Sequence, residues 1–160
     1  MRKRVLAPSS TAKPVVHRDW LDLDRLAQVE ITSEDPTHPI ESALAGDPET
    51  GPGWRAAEAG EQTIRILFDA PTALRHVQLV FEEDVTERTQ EFVLRWSADG
   101  GRTFRDVVRQ QFHFSPPTTA RQEEDYRVEL PAVTALELTI VPEIGGGPAK
   151  ASLRLLRLAG

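Results

Sequence analysis

The sequence predicts an all-β fold, a layered domain of about eight short antiparallel strands, on three observations. From residue 61 onward apolar side chains recur at every second position, the period of a half-buried strand. Twelve prolines and ten glycines in 160 residues supply the many short connections that such a fold needs. No window of comparable quality carries the 3.6-residue period of an amphipathic helix. Together these favour a sandwich or barrel.

Taken in order, residues 1–20 are basic, rich in Pro, Ser and Thr, and aperiodic, which predicts a flexible or wrapping tail before a domain over 21–160. Leu21, Leu23 and Leu26 lead into a first strand at Val29-Glu30-Ile31-Thr32. Ser33 to Gly60 holds Pro36, Pro39, Pro48, Pro52, Gly46, Gly51 and Gly53 and reads as a long loop with little regular structure. A loop of that length inside a compact domain is usually functional or well packed on itself. Ile64, Ile66 and Phe68 then share one face. After the break at Ala70-Pro71-Thr72, Val77, Leu79 and Phe81 repeat the pattern. Phe92, Leu94 and Trp96 follow, and later runs cover 107–114, 126–130, 136–140 and 151–158. Trp96, in register with Phe92 and Leu94, belongs to the core. Trp20 is placed to wrap onto the sheets.

Composition narrows the function. A net charge of −6 leaves no basic excess for a nucleic-acid backbone. The absence of cysteine removes disulfides, thiolate nucleophiles and Cys-based metal sites. No apolar run reaches membrane-spanning length. Arg2-Lys3-Arg4 is followed by only Val5-Leu6-Ala7 before Pro8, too short for a secretory leader, so a cytoplasmic location is expected.

No motif carries catalysis. His17, His38, His76 and His113 have no metal-ligand spacing, and no Gly-x-Ser-x-Gly elbow occurs. Gly145-Gly146-Gly147-Pro148-Ala149-Lys150 lacks the second spaced glycine and the Ser/Thr of a phosphate loop and reads as a turn. The acidic runs Glu82-Glu83-Asp84 and Glu123-Glu124-Asp125 read as solvated loops. Ser97-Ala98-Asp99-Gly100-Gly101-Arg102-Thr103-Phe104 is a tight hairpin in which Asp99 and Thr103 can bond the backbone across the turn. It resembles a single Asp-box hairpin and is read as a folding device.

Several stations in sequence order carry a family resemblance. They are Leu26 to Ser33, Ala43-Leu-Ala-Gly-Asp47 with Thr50 and Gly53-Trp54, Gln62 to Phe68, Phe92 to Phe104, and Leu153 to Ala159. In that order they resemble the discoidin group, also called coagulation-factor type C or family 32 carbohydrate-binding modules, of the galactose-binding-like domains. The resemblance implies an eight-stranded jelly-roll β-sandwich whose loops at one end bind a glycan, a lipid head group or a protein. It also implies a structural calcium held by Ala43, Ala45, Asp47, Thr50 and a terminal Glu. Here Ala45 stands where the family carries an Asp, and no Glu follows Glu143. Calcium asks for six to eight oxygens, several of them charged.

These readings converge on a non-catalytic binding module, most directly for carbohydrate. The alternative is an intracellular protein-interaction or scaffold domain on the same fold. The sequence has no asparagine, so sugar hydroxyls would meet Glu34, His38, Trp54 and Arg55 in the first loop and His113, Arg121 and Glu123 in a second, Phe112 to Asp125. Trp54 has two possible roles, an aromatic face for a sugar ring or a plug closing one end of the sandwich. His113 is expected to point outward between Phe112 and Phe114, either as a binding group or as solvated surface.

Overall fold

The computed structural model describes residues 20–45 and 50–160. Two single-turn helices and eight strands follow one another: α1 (Leu23–Leu26), β1 (Ala27–Ile31), α2 (Ile40–Leu44), β2 (Trp54–Ala59), β3 (Gln62–Glu82), β4 (Arg88–Ser97), β5 (Arg105–Phe114), β6 (Arg121–Val141), β7 (Lys150–Leu153) and β8 (Leu155–Ala159). Every strand pairing is antiparallel. Apart from Trp20, the expected tail lies outside the described residues. Trp20 itself bridges Ala159, with the Arg157 guanidinium 4.3 Å above its ring.

Two strands of 21 residues, β3 and β6, organise the rest. At about 3.3 Å per residue each would run roughly 70 Å if straight. A 160-residue domain has a radius of gyration near 15 Å, so neither strand can stay flat. They pair along their whole length and bend together, with register shifts between Leu67 and His76. Pro71 and Pro131 fall in this bend, where a missing N–H costs no regular ladder bond. The runs 64–68 and 77–81, separate in the sequence reading, are therefore one strand folded over, and so are 126–130 and 136–140.

The bend creates two layers. The first half of β3 and the second half of β6 lie in the order β1-β3-β6-β4-β5. The second half of β3 pairs on one side with the first half of β6 and on the other with β8. Phe81 of β3 meets Phe92 of β4 across the layers, ring centroids 5.2 Å apart, although the two strands share no ladder. Ile64, Ile66, Leu79, Leu94, Leu138 and Ile140, all essentially inaccessible, fill the space between.

Two further expectations change. The 33–60 segment is not featureless: it holds α2 and β2, and β2 pairs with β7 as a small second sheet. The 151–158 run is two strands. Its chain switches partner from β2 to β3 at Arg154, whose N–H donates to the Val80 carbonyl at 2.8 Å.

The β4–β5 hairpin is built as the sequence reads. Asp99 Oδ1 accepts from Ser97 Oγ at 2.7 Å and from the amides of Arg102 and Thr103 at 3.1 and 2.9 Å, while Oδ2 accepts from Thr103 Oγ1 at 2.6 Å. Gly100 and Gly101 hold φ of 78° and 92°, which other residues adopt only with strain. The Thr103 bonds first, then Ser97 and Arg102, hold the Asp99 carboxyl well below its ordinary value of 3.8. A carboxyl depressed by folding adds stability above its unfolded value, and that stability is lost as pH falls below it. Thermal melts between pH 7 and 2 should therefore show Asp99→Asn with a shallower acid limb than the parent below about pH 4. Parallel limbs would mean that the turn does not depend on the charge.

Candidate functional site

A cleft of about 180 Å³ opens at the end of the molecule where β2, β7 and the β3–β4 connection meet. Its floor is apolar. Trp54, the first residue of β2, is 1% exposed and sits opposite Leu153 in the β2–β7 ladder. Its Nε1 donates to the Ser33 carbonyl at 3.1 Å. Gly53 lets this corner close. Its φ is 75°, and a Cβ there would lie 2.8 Å from the Leu153 carbonyl oxygen and 2.9 Å from Arg154 Cα.

One wall is the turn Asp35 to His38, clamped onto β2 by Asp35 N to Arg55 O at 2.8 Å and Arg55 N to His38 O at 3.2 Å. Within the turn, Asp35 Oδ1 accepts from Thr37 N and from Thr37 Oγ1, at 2.9 and 2.8 Å. These bonds hold the Asp35 carboxyl below its ordinary value. Thr37 has one hydroxyl proton, and Asp35 takes it. His38 Nδ1 lies 2.9 Å from the same oxygen, and the residue lines the cleft. Beside it, Arg55 projects from β2 and Lys150 and Ser152 from β7.

The opposite wall is Glu82-Glu83-Asp84-Val85. Glu82 is held between Arg121 Nη1 at 2.5 Å and Arg154 Nε at 3.4 Å. Glu83 Oε1 accepts from Arg88 Nε at 2.7 Å, and Oε2 takes the amides of Val85 and Thr86, both at 3.0 Å. Burial alone would raise the Glu83 pKa, but Arg88 and the two amides outweigh it and hold the carboxyl below its ordinary value. Val85 is 86% exposed at the rim. Among the described residues, the side chains of Arg55, Asp84 and Lys150 and the Nε2 of His38 take no hydrogen bond or ion pair.

Behind Glu83 a chain of buried polar groups runs into the sandwich. Arg88, 2% exposed, donates through Nη1 to the Pro142 carbonyl at 2.8 Å and lies over the Phe114 ring at 4.9 Å. Gln90 follows, donating to Gln122 at 3.0 Å, and Gln122 donates to Glu124 at 2.8 Å.

The expected site residues divide. His38, Trp54 and Arg55 come together at the cleft. Glu34 does not line it: its Oε1 accepts the Ile40 amide at 2.8 Å and caps α2. Of the two roles the sequence leaves open for Trp54, the structure selects the plug, because a ring 1% exposed offers no face to a sugar, and its place among the ligand-binding residues is corrected. Arg121 and Glu123 are not on a loop but open β6, bonded to each other at 2.6 Å, and Arg121 reaches the cleft only through Glu82. His113 does point outward, on β5, but away from the cleft, between Glu87 Oε2 at 2.9 Å and Thr89 Oγ1 at 2.7 Å. The acidic runs are only in part the solvated loops expected: Glu82 ends β3 and Glu83 is half-buried, Asp84 is exposed in the connection, and 123–125 lie within β6 with Glu123 and Asp125 exposed. Lys150, Ser152 and Arg154 were missed. They alternate with Ala151 and Leu153, a period that marks one outward face, but the partner of that face is not written locally.

Of the positions enlisted for calcium, Ala43 is buried on α2, Ala45 caps that helix, Thr50 is exposed and Asp47 lies outside the described residues. The terminal segment that would give the last carboxylate carries Lys150, Arg154 and Arg157, and no acid follows Glu143. That donor set does not suit the cation. Among the described residues no group of three or more His, Asp or Glu side chains is placed to hold a metal.

Residues 28–155 match the family model of the F5/8 type C domain. The chain belongs to the F5/8 type C family. No curated protein sequence matches it. Among solved structures this F5/8 type C chain is similar to a family 32 carbohydrate-binding module of Clostridium perfringens NanJ in complex with galactose, at 14% identity and TM-score 0.65, covering 88% of this chain and 98% of that one. It is also similar to the Clostridium perfringens module CpGH89CBM32-5 in complex with GalNAc-β-1,3-galactose, at 17% identity and TM-score 0.66, covering 89% and 100%. A third is the family 32 module of AlyQ in complex with 4,5-unsaturated mannuronic acid, at 15% identity and TM-score 0.58, covering 83% and 94%. At these identities the likeness establishes the shared fold.

Proposed function

We propose that this F5/8 type C domain is a non-catalytic carbohydrate-binding module that takes a sugar unit in the cleft between His38, Arg55, Lys150 and the 82–85 wall. The observation that carries the reading is the set of unengaged polar groups around that cleft. Asp84 can accept from hydroxyls, Arg55 and Lys150 can donate to them, and the His38 ring can bond one in either tautomer. Val85 adds a small apolar contact at the rim. The saccharides bound by the three similar modules support the same ligand class. A catalytic role would need a general acid near neutrality, and Glu83, held ionised by Arg88 and two amides, is not one.

The cleft is small and open, and no aromatic face lies in it. At about −0.3 to −0.5 kcal/mol per atom, a sugar unit of about a dozen heavy atoms would gain roughly 4–6 kcal/mol. That corresponds to dissociation constants from about 1 mM down to about 0.04 mM. Calorimetric titration of the chain with a panel of mono- and disaccharides should find binding in that range. His38→Ala should weaken it about two- to tenfold, the worth of one hydrogen bond. Silence across the panel at millimolar sugar would remove the reading.

A further inference from the structure

The row of buried polar groups behind Glu83 does not end at Glu124. Gln110 on β5 donates to the same Glu124 Oε2 at 2.7 Å, and the Tyr126 hydroxyl donates to Gln110 Oε1. The row therefore runs from the cleft wall to the side of the sandwich where β5 and the first half of β6 face each other without sharing a ladder. Gln90 and Gln122, 0% and 2% exposed, carry it from one layer to the other. Their surroundings are apolar: Gln122 and Glu124 stand opposite the buried Phe81 and Leu79 in the β3–β6 ladder.

The two charged ends fix the amides between them. A guanidinium can only donate, and a carboxylate can only accept. Arg88 Nη1 donates to Gln90 Oε1 at 3.4 Å, which leaves Gln90 Nε2 for Gln122 Oε1 at 3.0 Å and Gln122 Nε2 for Glu124 Oε2 at 2.8 Å. Turning Gln90 over would set N–H against N–H at Arg88 and oxygen against oxygen at Gln122. Side chains this deeply buried have no water to repair such a mismatch. Both amides thus hold oxygen toward the cation and nitrogen toward the anion, the one sense in which each bond reinforces the next.

We infer that Glu124 is a positioning residue for the cleft. Its carboxylate orients Gln122 and Gln90, and Gln90 with the Pro142 carbonyl sets the plane of the Arg88 guanidinium. Arg88 in turn holds Glu83, whose other oxygen anchors the Val85 and Thr86 amides of the wall. Asp84, between these anchors, is the wall's open acceptor. The consequence for a ligand rests on the carbohydrate-binding reading of the cleft, whereas the coupling itself does not. The longest link, Arg88 to Gln90, is also the weakest, so the effect that reaches the wall is small.

Amide hydrogen exchange on the full chain reads the wall directly at Val85 and Thr86. Glu124→Gln keeps the size of the side chain and an oxygen for Gln110 and Gln122 but removes the charge. It should quicken exchange at Val85 and Thr86 about two- to tenfold, the worth of one hydrogen bond, and leave the Arg102 and Thr103 amides of the Asp99 turn unchanged. Gln122→Met cuts the row and leaves both charged ends. It should give the same pattern, and the double variant should be no faster than the faster single one. Glu124→Asp, which keeps the charge, should fall between the parent and Glu124→Gln, and it decides the matter if Gln122→Met does not fold. Titration with galactose and disaccharides should find Glu124→Gln weaker by about two- to threefold, the low end for a residue that touches no ligand. Unchanged exchange at Val85 and Thr86, equal quickening at Arg102 and Thr103, or additive effects in the double variant would each overturn the inference. Wall amides that respond in a chain that binds no sugar would leave the coupling standing and end the carbohydrate reading. Sugar binding by a chain whose wall ignores Glu124 would do the opposite.

Discussion

Replacing Arg88 by methionine is expected to cost about 3–5 kcal/mol, the range for leaving one member of a buried ion pair without its partner. That is a large share of the roughly 5–15 kcal/mol by which domains are stable. The guanidinium is 2% exposed. It ties together Glu83 in the cleft wall at 2.7 Å, the Pro142 carbonyl after β6 at 2.8 Å, and Gln90 within β4. Among the described residues its Nη2 has no acceptor, so the site is already expensive, and the Phe114 ring beneath the guanidinium offsets only part of that cost. Methionine fills the stem but leaves the Glu83 carboxylate and the Pro142 carbonyl facing apolar surroundings. At about 2–4 °C per kcal/mol for a chain of this size, the melting point should fall by roughly 10 °C.

A second variant separates charge from volume. Glu83→Gln keeps an oxygen for the Val85 and Thr86 amides but removes the charge that Arg88 neutralises. If the pair is coupled as the geometry requires, the double variant Glu83→Gln/Arg88→Met should be less destabilised than the sum of the single ones by about 0.5–3 kcal/mol. Strict additivity would show that Arg88 matters for its volume alone. Lysine at 88 should not rescue, because it cannot reach Glu83, Pro142 and Gln90 in one plane.

The strand content of this protein is legible because period-2 patterning is local. Ile64, Ile66 and Phe68, or Phe92 and Leu94, announce one buried face whatever they pair with. Pairing is not local. Ala70-Pro71-Thr72 looks like a connection between two strands, yet the ladder to β6 resumes on its far side, because β3 and β6 bend together. The same limit hid half of the cleft. Trp54 and Arg55 stood out beside two glycines, whereas Lys150, Ser152 and Arg154 were an ordinary alternating run until the β2–β7 ladder set Ser152 opposite Arg55 and brought all three to the cleft. Glu82-Glu83-Asp84 failed for a different reason. An acidic triplet is usually solvated, and only the cations brought in from β4, β6 and the β7–β8 junction show that Glu82 and Glu83 are structural. The Asp99 turn was read correctly because the partners of the Asp99 carboxylate all lie within seven residues.

Trp54 is where the sequence leaves two roles and the structure selects one, and a platform and a plug predict opposite phenotypes. As a plug, Trp54→Ala should cost about 3–5 kcal/mol, through lost contacts, the cavity left behind and an orphaned Ser33 carbonyl. Trp54→Phe keeps most of the apolar volume but gives up the Nε1 donor, so it should cost about 1–3 kcal/mol, the range for an unsatisfied buried acceptor. The loss should spread beyond one side chain. Trp54 opens β2, its register partner Leu153 closes β7, and Gly53 packs against the same junction. Amide exchange in Trp54→Ala should therefore quicken together at Arg55, which bonds the His38 turn, and at Arg154, which bonds Val80. A platform would behave in the reverse way. Trp54→Ala would then melt within about 1 kcal/mol of the parent, as exposed surface residues do, and sugar affinity would fall with no change in exchange at Arg154. The buried ring and its bond to Ser33 select the first outcome, and chemical unfolding read beside calorimetry on the same variant decides between them.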